Sequence, residues 1–211
     1  MLWPLEAKQI PANHSRHPGT GPRRKFKGCC LRELALHLLD IAENSVSARA
    51  SNITIEVQED IKADLLRMSV EDDGCGMDAD MVAKIVDPFV TTRTTRKVGL
   101  GIPLLKAAAE ACNGTMMITS TPGKGTRVDV IFQHSHIDRM PLGDLVSTMQ
   151  TLVLGSPEIH WKLVYQYNGT EFIFDDEPIK QELEGVPFSD PAVIRFIREY
   201  LQDGIAEARN N

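Results

Sequence analysis

The sequence predicts an α/β (α+β) fold, in which helices and strands interleave along 211 residues. Three observations predict it. Apolar residues recur at helical spacing from Leu31 to Ala50. They then switch to a two-residue period in Asn52–Gln58. Further on, strand-like runs close around two turn signals, Pro122-Gly123-Lys124-Gly125 and Asn168-Gly169.

The elements follow in order. Leu31, Leu34, Leu38, Ile41 and Ala42 make one apolar helix stripe, while His37, Asp40 and Asn44 share another face. Ile53, Ile55 and Val57 alternate as in a half-buried strand, and Asp64–Glu71 is a second strand that runs into an Asp-Gly turn. Asp78 caps a short helix ending near Ile85. Asp87–Val98 is polar and rich in Thr and Arg, so it reads as a loop. Leu100–Ala111 is a helix stopped by Asn113-Gly114. Thr115–Ser120 and Thr126–Gln133 form a hairpin.

Pro141–Leu154 reads as a further helix. Trp161–Tyr167 and Thr170–Phe174 flank Asn168-Gly169, a two-residue hairpin signature. Pro191 opens an amphipathic helix carrying Val193, Phe196, Ile197, Tyr200 and Leu201. Three regions result: a disordered basic extension over 1–30, a first domain over 31–135, and a small α/β helix–hairpin–helix module over 136–211.

Composition bounds the function classes. A 42% hydrophobic and 25% charged chain is ordinary for a soluble globular protein. No apolar run approaches the roughly 20 residues that cross a bilayer, and the N-terminus lacks a signal-peptide core. A cytoplasmic protein without a membrane partner is expected. Cys29, Cys30, Cys75 and Cys112 include no Cys-x-x-Cys, so reduced thiols are expected over a zinc site built from Cys29, Cys30, His14 and His17. Residues 1–30 hold six Lys/Arg against one acid, and the rest of the chain carries a net −11. So acidic a body is a poor nucleic-acid binder, and no nucleic-acid partner is expected.

Residues 1–28 show Pro and Gly without any period and read as a flexible extension. Translation is expected to begin at Leu31, through a leucine-type start codon read as Met. An intact mass that retains residues 1–30 contradicts that expectation.

Four motifs carry chemistry. Asp40-Ile-Ala-Glu-Asn44 places an acid and a carboxamide one helical turn apart. Asn44 either bonds solvent or offers its oxygen to a hard cation that keeps several waters. His37, on the same face, is read as a satisfied, partly buried histidine, or as a group orienting Asp40. Asp72-Asp-Gly74-Cys-Gly76-Met77 is a plain turn or a carboxylate that accepts a hydrogen bond from a base, its glycines letting backbone approach closely. It lacks the alternating acids of a calcium loop. Lys97-Val-Gly99-Leu-Gly101 opens a helix whose free amides suit phosphate oxygens. Arg93, Arg96 and Lys97 are either a solvated charge run or phosphate contacts. Gly123-Lys-Gly125-Thr126 closes the set.

Together these motifs, over residues 31 to 133, resemble the ATP-binding domain of the GHKL superfamily: DNA gyrase B, heat-shock-ninety chaperones, histidine kinases and MutL-type proteins. Asp87-Pro88-Phe89 and Gly123-x-Gly125-Thr126 look most like histidine-kinase catalytic domains, and a stand-alone domain of that kind is expected. The resemblance implies a Bergerat-type two-layer sandwich, a mixed sheet with helices on one face. It implies ATP and Mg2+ as cofactors, with Asn44 as the metal ligand.

Asp72, Gly74, Gly76, Met77 and Thr126 would hold the adenine side, with Ile102 lining it, Met77 and Ile102 being either pocket lining or plain core, and Arg93, Lys97, Gly99, Leu100 and Gly101 would hold the phosphates. Asp40 would be the catalytic residue, either a general base of shorter reach or a group holding a water of the magnesium, although gyrase-like members carry Glu there and histidine kinases often Asn. Lys97 stands where the family pattern usually has glycine.

Two functions follow from the resemblance. One is a histidine-kinase-type enzyme or slow ATPase acting on a separate protein partner. The other is an ATP-gated binding module of anti-sigma-factor type. A homodimer is left open. Trp161, Tyr165 and Tyr167 are either an exposed partner patch or core packing, and packing is preferred. His134 and His136 read as linker before metal site.

Overall fold

The computed structural model describes residues 33–86, 101–183 and 185–210. The readings for residues 1–30 and for the Asp87–Val98 loop lie outside the described residues. Leu31–Asn211 forms one compact unit. Its elements are α1 (Leu34–Ser47), β1 (Asn52–Asp60), β2 (Leu65–Asp72), α2 (Ala79–Ile85), α3 (Gly101–Ala111), β3 (Thr115–Thr121) and β4 (Gly125–Gln133). There follow α4 (Leu145–Gly155), β5 (His160–Tyr167), β6 (Thr170–Asp175), α5 (Asp176–Glu182) and α6 (Pro191–Asn210).

The strands form one mixed sheet in the order β3-β4-β2-β1-β5-β6. All pairings are antiparallel except β1 with β5. Alternation dictates a two-sided sheet. Ile53, Ile55, Val57, Leu66, Met68, Val70, Val128, Val130 and Phe132 are buried on the face that α1, α3, α4 and α6 cover. The opposite face is polar. There Arg127 reaches Glu56, Glu71 and Asp129, and Arg67 also pairs with Asp129. This is the expected two-layer sandwich with a mixed sheet.

The expected helix–hairpin–helix elements are present, and their hairpin lies within the same sheet. Eight residue pairs, Asn52↔His160 to Glu59↔Tyr167, join β5 in parallel to β1. A parallel neighbour needs a long crossover, which α4 and the segments before it supply. The loop preceding α4 also completes α1. Pro141 and Leu142 carbonyls accept from the Leu34 and Ala35 amides, two first-turn donors that a helix cannot satisfy itself.

Trp161 and Tyr165 are fully buried, as packing requires, so they present no aromatic patch. Tyr165 donates to Glu59 Oε1 at 2.7 Å, and Arg209 of α6 donates to the same oxygen at 2.8 Å. These contacts fasten the last turn of the chain to the sheet.

Two helices, α4 and α5, depart from expectation. Helix α4 starts at Leu145, because Gly143 has φ +82 and the Asp144 carboxylate caps the helix by accepting from Ser147 N–H at 2.9 Å. Helix α5 was not expected. Its seven residues include Pro178, and it begins where Asp175 accepts from Glu177 N–H. Asn168 and Gly169 both adopt positive φ, as a two-residue primed turn requires.

Helix α6 crosses β6 closely at Gly204. A Cβ there would stand 2.0 Å from the Phe172 ring. Gly204→Ala is therefore expected to destabilise the fold by about 1–3 kcal/mol, read as a lower urea midpoint at unchanged m-value. An unchanged midpoint contradicts this close packing.

Candidate nucleotide site

The carboxyl end of β2 places Asp72 opposite Thr126 of β4 and Ile53 of β1. Ile53 faces the helices, so Asp72 and Thr126 do too. Ser120 pairs with Thr126 from β3 and completes a polar row above the apolar rows of the sheet. Helix α1 runs over this row and presents Asn44 and Ser45. A cleft of about 240 Å³ opens between them, lined on its polar side by Asn44, Ser45, Asp72 and Thr126. Its apolar side is mainly Ile41, Met77, Ile85, Ile102 and Val128.

Hydrogen bonds fix the polar residues. Asp72 Oδ1 accepts from the Gly74 amide at 2.9 Å, and Oδ2 accepts from the Ser45 hydroxyl at 2.6 Å. Ser120 Oγ accepts from the Met77 amide at 2.8 Å and lies 2.8 Å from Thr126 Oγ1. The next acid, Asp73, accepts from the Ser51 and Asn52 amides and the Asn52 side chain. Burial opposes its charge, but these bonds prevail and hold its carboxyl below the usual range.

The glycines act through close approach. Gly76 has φ +64, and a Cβ there would lie 2.0 Å from the Thr121 carbonyl. Gly125 has φ +110, with the Asp72 carbonyl 1.8 Å from its missing Cβ. The 72–77 loop and the β3–β4 turn are thus pressed together, and Gly123 N–H donates to the Cys75 carbonyl at 2.7 Å. Gly74 is buried against Ala48.

Asp40 and Gly101 meet one helical turn before Asn44. A Cβ on Gly101 would stand 2.9 Å from Asp40 Oδ2, so the acid lies against the first turn of α3. Asn44 is exposed at the same side of α1. An exposed carboxamide oxygen on a rigid helix, at the polar mouth of the cleft, fits a hard cation that keeps most of its waters.

The structure thus brings Asn44, Asp72, Gly76, Met77 and Thr126 to one cleft, with Ile102 beside them. Gly74 supports Asp72, while Asp40 and Gly101 sit together beneath Asn44. Arg93, Lys97, Gly99 and Leu100 lie outside the described residues. Sequence reading missed Ser120. The hairpin register was the available signal, because a strand pair closing at Gly125 puts residue 120 opposite residue 126.

His37 differs from its reading as a satisfied histidine. It is 3% exposed, and its Nδ1 has no partner among the described residues. Burial lowers its pKa from the usual 6.5, against the opposing pull of Asp40. His134 Nε2 lies 3.3 Å from Glu59, and His136 Nδ1 accepts from the Asp138 amide.

Residues 30–136 match the family model described as histidine kinase-, DNA gyrase B- and HSP90-like ATPase. The chain belongs to that family. It is 39% identical over 94 residues to the sensor protein kinase FleS of Pseudomonas aeruginosa, covering 44% of this chain and 23% of that protein. It is 32% identical over 119 residues to the non-motile and phage-resistance protein of Caulobacter vibrioides, covering 52% and 14%. The chain therefore spans less than a quarter of the length of these relatives. Among solved structures, the Aquifex aeolicus MutL ATPase domain complexed with ADP aligns with a TM-score of 0.45 and 16% identity. That alignment covers 73% of this chain and 68% of that one. No helix among the described residues is long and apolar enough to cross a membrane.

The His37 geometry carries a pH prediction. Its folded pKa lies below its unfolded one, so between the two values only the unfolded chain binds the proton. Stability is complete above the unfolded value and declines as pH falls toward the folded one. His37→Gln is expected to flatten the stability–pH slope between about pH 5 and 7, measured by urea unfolding. Equal slopes in both proteins contradict the assignment.

Proposed function

We propose that this chain binds ATP with Mg2+ in the cleft between α1 and the β2–β4 end of the sheet. It then transfers the γ-phosphate to a separate protein partner, or slowly to water. The observation that carries this reading is the convergence of Asn44, Asp72, Gly76, Met77 and Thr126 on one cleft. In it the Asp72 carboxylate lies beside an apolar lining of Met77, Ile85, Ile102 and Val128, and the Asn44 carboxamide is exposed to solvent.

The roles follow from chemistry. Asp72 accepts from the base's amino group, an acceptor-only contact that favours adenine over a base presenting a carbonyl there. Met77, Ile85 and Ile102 sandwich the ring. Asn44 holds the magnesium, whose charge offsets that of the triphosphate. The free amides at the start of α3 suit phosphate oxygens. Arg93, Lys97, Gly99 and Leu100 are proposed to complete that phosphate contact. Asp40 holds the acid position beside Asn44 and activates or orients the attacking group. The sensor kinase among the relatives supports the phosphotransfer reading. A cytoplasmic setting is part of this proposal.

A second reading is favoured by one observation. Asp40 lies against α3, and an Asp is one methylene shorter than Glu, so its carboxylate serves α3 as well as any water. An acid so placed suits an ATP-gated binding module, in which nucleotide occupancy moves α3 and turnover is incidental.

Following the γ-phosphate of labelled ATP separates the two. The enzyme reading predicts release that is lost in Asn44→Ala and falls about a hundredfold in Asp40→Ala. Saturable ATP binding with no release, lost only in Asn44→Ala, points to the switch or to a kinase without its partner protein, and overturns hydrolysis by the chain itself. No ATP binding by the unaltered chain overturns both.

A further inference from the structure

We propose that Ser45 is a positioning residue that makes the cleft selective for adenine by locking the proton-donor pattern of its polar end. This rests on the reading of the cleft as an ATP site. Ser45 is 3% exposed and follows Asn44 on α1. Its hydroxyl lies 2.6 Å from Asp72 Oδ2, while its other acceptor, the Ile41 carbonyl of the preceding turn, is 3.4 Å away. A serine has one O–H proton. The shorter, charge-assisted bond takes it.

Two consequences follow. With the Gly74 amide on Oδ1 and Ser45 on Oδ2, each Asp72 oxygen keeps one acceptor site, and the carboxylate cannot rotate away from the cleft. The Ser45 hydroxyl also lines the cleft, and its proton is spent on Asp72. A base that presents a carbonyl oxygen to Asp72 and Ser45 therefore meets two acceptors and no donor from that pair. A base that presents an amino group meets a fixed acceptor. Leaving a buried polar group unpaired is what separates the two ligands. The same bond ties the base end of the cleft to the helix that carries Asn44, so both ends are set by one turn of α1.

The test measures equilibrium binding of three probes to the full chain with Mg2+: ATP, GTP, and purine riboside triphosphate, which lacks the amino group. Ser45→Ala is expected to weaken ATP about tenfold and to leave purine riboside triphosphate within about twofold. The ATP/GTP preference falls with it. Ser45→Thr, which keeps the hydroxyl, restores the ATP preference. In an Asp72→Asn background, Ser45→Ala has no further effect on ATP, as required of a residue acting through Asp72. Melting temperatures of the variants confirm that each is folded.

Equal loss for all three probes, or an additive loss in the double variant, overturns the proposal and makes Ser45 a plain packing residue. No ATP binding by the unaltered chain instead overturns the underlying site assignment.

Discussion

Everything at the cleft depends on the register of β2 between β1 and β4. Side chains alternate across a strand, so a slip of one residue moves a whole set to the other face. With Val70 opposite Ile55 and Val128, the apolar rows close under the helices. Asp72 then falls on the same face, two residues on, beside Thr126 and Ser120. The polar row is thus the last row of the core. Its carboxylate is held where the apolar rows end and the helix-covered face opens to solvent. The network of Arg127 with Glu56, Glu71 and Asp129 marks the opposite face as the one meant for water. Exposed pairs of this kind contribute little stability each, but they oppose a slip that would bury them.

The glycines convert that register into a shaped site. Gly76 and Gly125 each bring one backbone to within the space of a missing Cβ of another. The 72–77 loop, the β3–β4 turn and the end of β2 are consequently packed backbone against backbone. Helix α1 completes it from above. Its position is set by apolar packing through Leu34, Leu38 and Ile41, and by loop carbonyls that accept from its first amides. The C-terminal hairpin contributes at a distance. By pairing β5 with β1 and anchoring Arg209 to Glu59 and Tyr165, it covers the flank of the strand against which β2 is registered.

Much of this was legible in the sequence because it is local. The 3.6-residue stripe of α1, the alternation of β1, the Asp78 cap and the Asn168-Gly169 turn are each dictated by neighbours in the chain. The cleft residues were legible for another reason: their motifs resemble those of a known family, and that resemblance grouped positions the local pattern alone left ambiguous. What stayed hidden is non-local. The join of β5 to β1 spans about a hundred residues of chain and leaves no periodic signal. Helix α5 contains a proline and is too short to show a period. The Ser45–Asp72 and Ser120–Thr126 contacts depend on two elements meeting. His37 looked satisfiable, and only the packed helix shows its Nδ1 without a partner among the described residues.

The most direct test of the account is a crystal structure of the full chain with a non-hydrolysable ATP analogue and Mg2+. The account predicts the base between Met77 and Ile102, its amino group on Asp72 with Thr126 beneath, and the metal on the Asn44 carboxamide. An analogue bound with its base away from Asp72, or seated elsewhere such as the surface hollow beside Gly143 and Arg209, would contradict it.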